Sequence, residues 1–331
     1  MSLTNFPNGI TSFGIPVIGN GGLPLMFGDY WFVDPVHGSS NHIGHSMDAP
    51  LDDFEDAYDR AATNNHDVIV INGQAGTGAP AKINLTEMLD FSKNKIHVVG
   101  LGTFGQIDMG PEIKILNANK ANSAPATIKM TGYGNSFTNC YISNGGTNAD
   151  SLSALWDYGE NNVYNHCQFF KGEDLGEATV SSVRAWGDST SWINCKYGVD
   201  WATQTDDRPV LRLDGTGTGH RMQANYFENP IFMMTTTSAT SYFVQIDSGN
   251  SMGGANLMVN PVFIAGVIAS VSGIVTDDCV LGHAGMVEGQ LLLVNPSTNC
   301  DSICTIQAGG IKVVGPITDT AAGFPQTPGA T

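Results

Sequence analysis

The sequence predicts an all-β chain: a solenoid of parallel β-helix type, closed at its start by one helix and preceded by an extended arm. Three observations predict it. One unit recurs through Ile128 to Tyr197, with a short strand, a Gly-rich break, and a second strand carrying an aromatic, a corner residue and a Cys. Its versions are Ser136-Phe137-Thr138-Asn139-Cys140-Tyr141-Ile142, Val163-Tyr164-Asn165-His166-Cys167-Gln168-Phe169 and Ser191-Trp192-Ile193-Asn194-Cys195-Lys196-Tyr197. The second observation is the period, 27 residues from Cys140 to Cys167 and 28 from Cys167 to Cys195; a fixed period in this range marks a solenoid or array. Third, Asn229-Pro230-Ile231-Phe232 and Asn260-Pro261-Val262-Phe263 fill the same slot, with Pro in place of Cys.

Within a strand, side chains two apart face the same way. Two residues before each corner stand Phe137, Tyr164, Trp192, Phe227 and Met258, one inward stack with one member per turn. The corner residues Asn139, His166, Asn194, Asn229 and Asn260 form a second ladder. Asn tolerates the left-handed backbone of a tight corner, and stacked Asn side chains can bond to one another. An antiparallel sandwich is the competing architecture, since about 28 residues also make two or three hairpin strands. The one-per-turn aromatic and corner slots favour the solenoid.

The elements follow in order. Residues 1–47 read as an arm and a first strand, Tyr30 to Val33. The arm carries Phe6, Ile10, Phe13, Ile15, Val17 and Ile18 between Pro and Gly residues. It is too broken for a long helix and too apolar to float in water, so it is expected to lie along another surface, its own or a partner's. The β-helix is placed at 48–318, with a capping helix at about 50–64. There Asp52, Asp53, Glu55 and Asp56 crowd the first turns, and Leu51, Phe54, Tyr58 and Ala61 follow helical steps. Asp67 to Asn72 is an apolar strand of the parallel-sheet kind, and Leu85 to Phe91 is expected to add a short helical turn. Val271 to Val275, Gln290 to Val294 and Gly310 to Val314 read as late rungs, and residues 319–331 as a tail.

Composition narrows function. The 331 residues are 41% hydrophobic but only 14% charged, with 40 Gly, as many turns require. The net charge of −17 argues against a nucleic-acid partner, which needs a basic face. No apolar run long enough to span a membrane and no export leader are read, so synthesis in a cytoplasm is expected. Cys140, Cys167 and Cys195 fall on equivalent rungs and are expected to pack as small hydrophobes. Cys300 and Cys304 lack a second ligand pair, and His42 and His45 lack a third ligand, so no metal and no cofactor are expected.

Asp67 to Ile71 after an amphipathic helix, Ile96 to Gly102, and the Phe-Thr-Asn-Cys-Tyr-Ile type of rung resemble the right-handed parallel β-helix, pectate-lyase-like superfamily. The opening Leu3 to Pro16 is similar to the start of some tailed-phage virion proteins. The resemblances imply a right-handed coil and a non-enzymatic virion protein. On that reading it is a capsid decoration or cement protein, homotrimeric, anchored by its arm to the major capsid protein or another virion component. The alternative they imply is a tailspike or other polysaccharide-binding or depolymerising β-helix that meets a host glycan.

Candidate chemistry is sparse. Asp206, Asp207 and Arg208 place an acid pair beside a base, and His220 and Arg221 follow one rung on. A solvated loop ending at Pro209 is the favoured account of the first group. Arg184 is expected to pair with Asp157 or Asp214 on neighbouring turns, and Trp186 and Trp201 are aromatics able to stack on sugars.

Overall fold

A computed structural model describes residues 10–12, 15–17, 28–73, 81–102, 111–115, 125–146, 151–172, 180–204, 208–213, 222–236, 243–246, 255–266, 281–283, 290–298 and 311–314. In the arm, Ile10–Ser12 pairs antiparallel with Ile15–Val17. Every other described sheet pairing is parallel, in three sheets of ten, eight and seven strands. From Val68 to His283 each of seven described turns adds one strand to each sheet. Ser136–Thr138 joins the first, Tyr141–Asn144 the second and Ser153–Asp157 the third, and Val163–Asn165 then returns to the first. Parallel strands joined by such crossovers take the right-handed sense. The chain is a right-handed parallel β-helix.

Register creates the core. In the first sheet Phe137, Tyr164, Trp192, Phe227 and Met258 are direct partners on successive turns. The same inward column begins with Trp31, Ile69 and Val98 and runs on through Leu293. Rings stack along it, with centroids 4.2 Å apart for Tyr164 and Trp192, and Trp192 and Phe227 only 5° from parallel. Ile83, Ile113, Ile142, Phe169, Tyr197, Phe232 and Phe263 form the second sheet's column. The third contributes Leu89, Ile128, Leu155, Val183, Leu211 and Val244.

Corners are set by left-handed residues. Asn139, His166, Asn194, Asn229 and Asn260 have φ of 54°, 52°, 51°, 49° and 52°. Asn295 adds a sixth member at 49°. Asn229 donates to the Asn194 carbonyl oxygen (2.9 Å), Asn260 to that of Asn229 (3.0 Å) and Asn295 to that of Asn260 (3.3 Å). Four residues upstream of the corner runs an inner ladder of Asn135, Asn162, Thr190, Asn225 and Asn256, all buried. Its asparagine side-chain oxygens take backbone N–H groups of the preceding turn, as in Asn135 N–H to Asn162 (2.9 Å) and Asn225 N–H to Asn256 (3.1 Å). Just before it lies a second left-handed series, including Asn161, Ser189 and Ala224.

The capping helix is shorter than its acidic surroundings predicted, at Phe54–Arg60. Leu51 is held out of it by a parallel bridge to Val33, and Asp53 caps the Glu55 N–H. At the other end Lys93 donates to the carbonyls of Tyr58, Asp59 and Ala61, satisfying groups that a helix terminus leaves open. Phe54, Ala57 and Tyr58 are buried with Trp31 and Ile69 over the first rungs. Leu85 to Phe91 forms no helical turn. Lys82–Leu85 and Leu89–Phe91 are strands of the second and third sheets, because Leu89 and Phe91 alternate inward with period two.

One carboxyl sits inside the coil. Asp157, fully buried beneath Met130 and above Ala185, accepts from the Gly159 N–H (3.1 Å) and the Asn162 amide (3.2 Å) on one oxygen. Its other oxygen has no partner at hydrogen-bond distance. Burial pushes its pKa up to about 7, against the pull of these two bonds.

Two outcomes are expected. Ala224 is exposed at φ 53°, a conformation costing an L-residue about 1–2 kcal/mol, so Ala224→Gly should gain about 0.5–1 kcal/mol after the entropy cost of glycine. A higher urea midpoint checks it. For Asp157, the folded pKa lies above the unfolded value of about 3.9, so the folded chain holds the proton more tightly. Stability should therefore fall as pH rises from about 4 through about 7. Asp157→Asn should flatten that slope in urea melts across pH 4–8.

Candidate functional site

Inward positions are committed to packing, so chemistry is sought on the outer faces. On the third sheet the outward column reads Asp90, Lys129, Trp156, Arg184, Arg212 and Gln245, each in direct register with the next. The strands place it by alternation. In Ser153–Asp157 and Ser181–Ala185, Leu155 and Val183 point inward, so Trp156 and Arg184 point out.

Tyr158 and Trp186, just past the strand ends, join this column. A turn glycine follows each of them, and the turns pack so tightly that a Cβ on Gly187 would lie 2.1 Å from the Gly159 carbonyl oxygen. That approach brings the Tyr158 and Trp186 rings to 4.1 Å between centroids. Tyr158 meets Trp156 edge-on at 5.8 Å. The Arg184 guanidinium lies 4.3 Å from the Trp186 centroid and 5.4 Å from that of Trp156. Lys129 Nζ is 5.8 Å from the Tyr158 ring. Cations over ring faces at such distances attract. All three aromatics and Arg184 are partly exposed, while the indole N–H groups of Trp156 and Trp186 are turned in and unpaired. The result is a strip of rings and guanidinium on a chain whose net charge is −17.

The expected pairing of Arg184 with Asp157 is not made. Trp156, not Asp157, is the register partner of Arg184, and Asp157 lies on the opposite face of the sheet. Asp214 lies outside the described residues. So do Asp206, Asp207, His220 and Arg221, and the side chain of Trp201. Of that candidate cluster only Arg208 is described; it is buried just before the strand Leu211–Leu213. Of the arm, Phe6, Phe13 and Ile18 lie outside the described residues, while Ile10, Ile15 and Val17 lie in its two-stranded ribbon.

The rung cysteines are free and buried. Cys167 and Cys195 each direct a thiol at a carbonyl of the preceding turn, 3.3 Å from Phe137 and Tyr164. Burial raises all three thiols, Cys167 to about 12, so none is a nucleophile. Cys279, Cys300 and Cys304 lie outside the described residues. His42 and His45 turn ring nitrogens to the carbonyls of Pro50 and Tyr30. Among the described residues no group of three or more His, Cys, Asp or Glu is placed to hold a metal, and no helix is long and apolar enough to cross a membrane.

Sequence reasoning missed Lys129, Trp156, Tyr158 and Arg212 as neighbours of Arg184 and Trp186. The signal was available, because all stand at matched positions of the repeat once the third strand of each turn is aligned.

No protein-family model and no curated protein sequence matches the chain. Solved structures do resemble it. A pectin methylesterase from Aspergillus niger is 14% identical, with 86% of this chain and 80% of that one covered and a TM-score of 0.48. Pectate lyase Pel9A is 12% identical over 87% and 79%, with a TM-score of 0.46. The pectin methylesterase PemA from Erwinia chrysanthemi is 12% identical over 86% and 92%, at 0.42. At these identities the likeness concerns the fold alone.

Proposed function

We propose that the protein is a polysaccharide-binding β-helix, and that its outer third-sheet column receives an acidic glycan. The observation that carries this reading is the interleaving of Trp156, Tyr158 and Trp186 with Arg184 at 4.3–5.4 Å from the indoles. Aromatic faces stack on the apolar faces of sugar rings, and a guanidinium beside them pairs bidentately with a carboxylate or sulfate. Successive turns sit about 4.8 Å apart, so an extended chain lying along the column meets a new side chain at each rung. The local positive charge of Lys129 and Arg184 opposes the field of the whole molecule. It therefore favours an anion here over the rest of the surface.

A second reading is that of a virion component, a capsid decoration or cement protein assembled as a homotrimer. It draws on the apolar arm and on the outer strips that flank the Asn corner. In the first sheet Leu257, Val259, Leu292 and Val294 face outward and are partly exposed; in the second, Ile231, Met233, Val262 and Ile264 do the same. A corner with two apolar flanks suits a closed ring in which one copy's first-sheet flank meets the next copy's second-sheet flank. The two readings are compatible, since a trimeric rod held by its arm leaves its third sheets outward.

Binding of a fluorescent acidic polysaccharide such as polygalacturonate or a sulfated glycan should be lost at least ~10-fold in Trp186→Ala and Arg184→Gln, with unchanged circular dichroism. Equal binding by wild type and both variants overturns the site. Deleting residues 2–24 should leave this binding intact. On the second reading the same deletion yields a folded protein that no longer joins particles, and sedimentation of the full chain should give three copies.

A further inference from the structure

The outer face of the first sheet carries a different arrangement, far from any aromatic of the third. His97 and Ser136 are register partners on adjacent turns. Ser136 Oγ lies 2.8 Å from His97 Nδ1, and His97 Nε2 lies 3.0 Å from His66 Nδ1. The two imidazoles are 7° from coplanar, with centroids 5.3 Å apart. That separation exceeds the nitrogen–nitrogen distance by two ring radii, so the nitrogens meet head to head, as in an N–H···N hydrogen bond, and the rings do not lie face on face. A metal between them would need the nitrogens further apart along that line, because each metal–nitrogen bond is about 2 Å.

The proton order runs from the serine. The Ser136 hydroxyl makes its side-chain contact with His97 Nδ1. In the tautomer that acyl transfer requires, the hydroxyl donates to His97 Nδ1. His97 then carries its hydrogen on Nε2 and donates to His66 Nδ1. Burial, then the neighbouring His66, pushes His97 down to about 4, leaving it neutral with a free lone pair on Nδ1. Ser136 and His66 are partly exposed, His97 is buried, and the chain between them is complete. A nucleophile hydrogen-bonded to a base, itself oriented by a third group, is the geometry of acyl transfer.

We propose that Ser136, His97 and His66 form an acyl-transfer site for short acyl esters, with Ser136 the nucleophile, His97 the base and His66 the positioning residue. Ser136 Oγ bonds to the ester carbonyl carbon while His97 Nδ1 takes the hydroxyl proton. The carbonyl–oxygen bond to the alcohol then breaks, and the alcohol leaves with that proton. Water repeats the two steps on the acyl-serine, giving the carboxylic acid and restoring Ser136. Val163, the next residue of the outer column and partly exposed, gives the acyl group an apolar neighbour.

The test uses the full chain with p-nitrophenyl acetate and, separately, a fluorophosphonate, whose phosphorus would bond to the serine oxygen as fluoride leaves. Expected are p-nitrophenol release and a single adduct mapped by mass spectrometry to Ser136, both abolished in Ser136→Ala with an unchanged thermal melt. His66 has φ 60°, which Asn accepts, and an Asn side-chain oxygen can receive the His97 N–H. His66→Asn should therefore label within a few-fold of wild type, while His66→Ala labels ~10-fold more slowly. No adduct on Ser136 in the wild type, ester hydrolysis surviving in Ser136→Ala, or equal labelling of the two His66 variants overturns the proposal.

Discussion

The constraint on which this structure rests is the unshifted parallel register of successive turns in the first sheet. Because Phe137, Tyr164, Trp192, Phe227 and Met258 are direct partners, one residue per turn decides one layer of core. A one-residue slip would send every member of the column to the outer face. The coil therefore needs devices that fix where each turn begins and ends. It has two, the outer Asn corner and the inner ladder of Asn135, Asn162, Thr190, Asn225 and Asn256. The first supplies left-handed backbone without a heavy steric cost. The second binds backbone N–H groups of one turn with side-chain oxygens of the next, at depths where an unpaired donor would cost about 1–3 kcal/mol.

Single turns cannot stand alone in such a design. Each buries its apolar side chains only against the turns above and below, and the first lacks an upper neighbour. Phe54, Ala57 and Tyr58 fill that place, and Lys93 ties the helix end to the rung beneath. The helix is short because it needs to cover only one layer. Acidic residues before Phe54 look helical by charge, yet Leu51 is better used pairing with Val33. Local propensity lost there to a tertiary contact.

What could be read from the sequence followed from the same register. The inward column and the corner residues recur at fixed spacing, so they showed themselves as repeats. Asn295-Pro296 escaped notice although it copies Asn229-Pro230 and Asn260-Pro261, because its turn is 35 residues from the last and its Phe is replaced by Thr298. The inner Asn ladder was equally periodic but sits in the turn, where Asn is common for local reasons and signals little. The misplaced Arg184–Asp157 pair shows the opposite failure. Proximity in the repeat was read correctly, but the residues differ by an odd number of positions within their strands, and alternation put them on opposite faces. The outer column of Lys129, Trp156 and Arg184 shares no residue type from rung to rung, so it shows only once the third strands are aligned position by position.

That asymmetry bears on where function is to be sought. Inward positions have one acceptable chemistry, apolar and of fitting volume, and where a polar group intrudes its properties bend to the core, as the raised pKa of Asp157 shows. Outward positions carry no such demand, so their differences from face to face hold information. The third sheet gathers aromatics and cations. The later turns of the first and second sheets show aliphatic strips on either side of one corner, and the early first sheet holds a serine and two histidines in a single hydrogen-bonded line. A rod of fixed rise keeps each of these sets in order at spacings of one rung, with little entropy left to lose on contact. A stiff coil thus turns short sequence repeats into several separate, preorganised surfaces. Rigidity supplied by the core is what lets a strip of ordinary side chains act as a site.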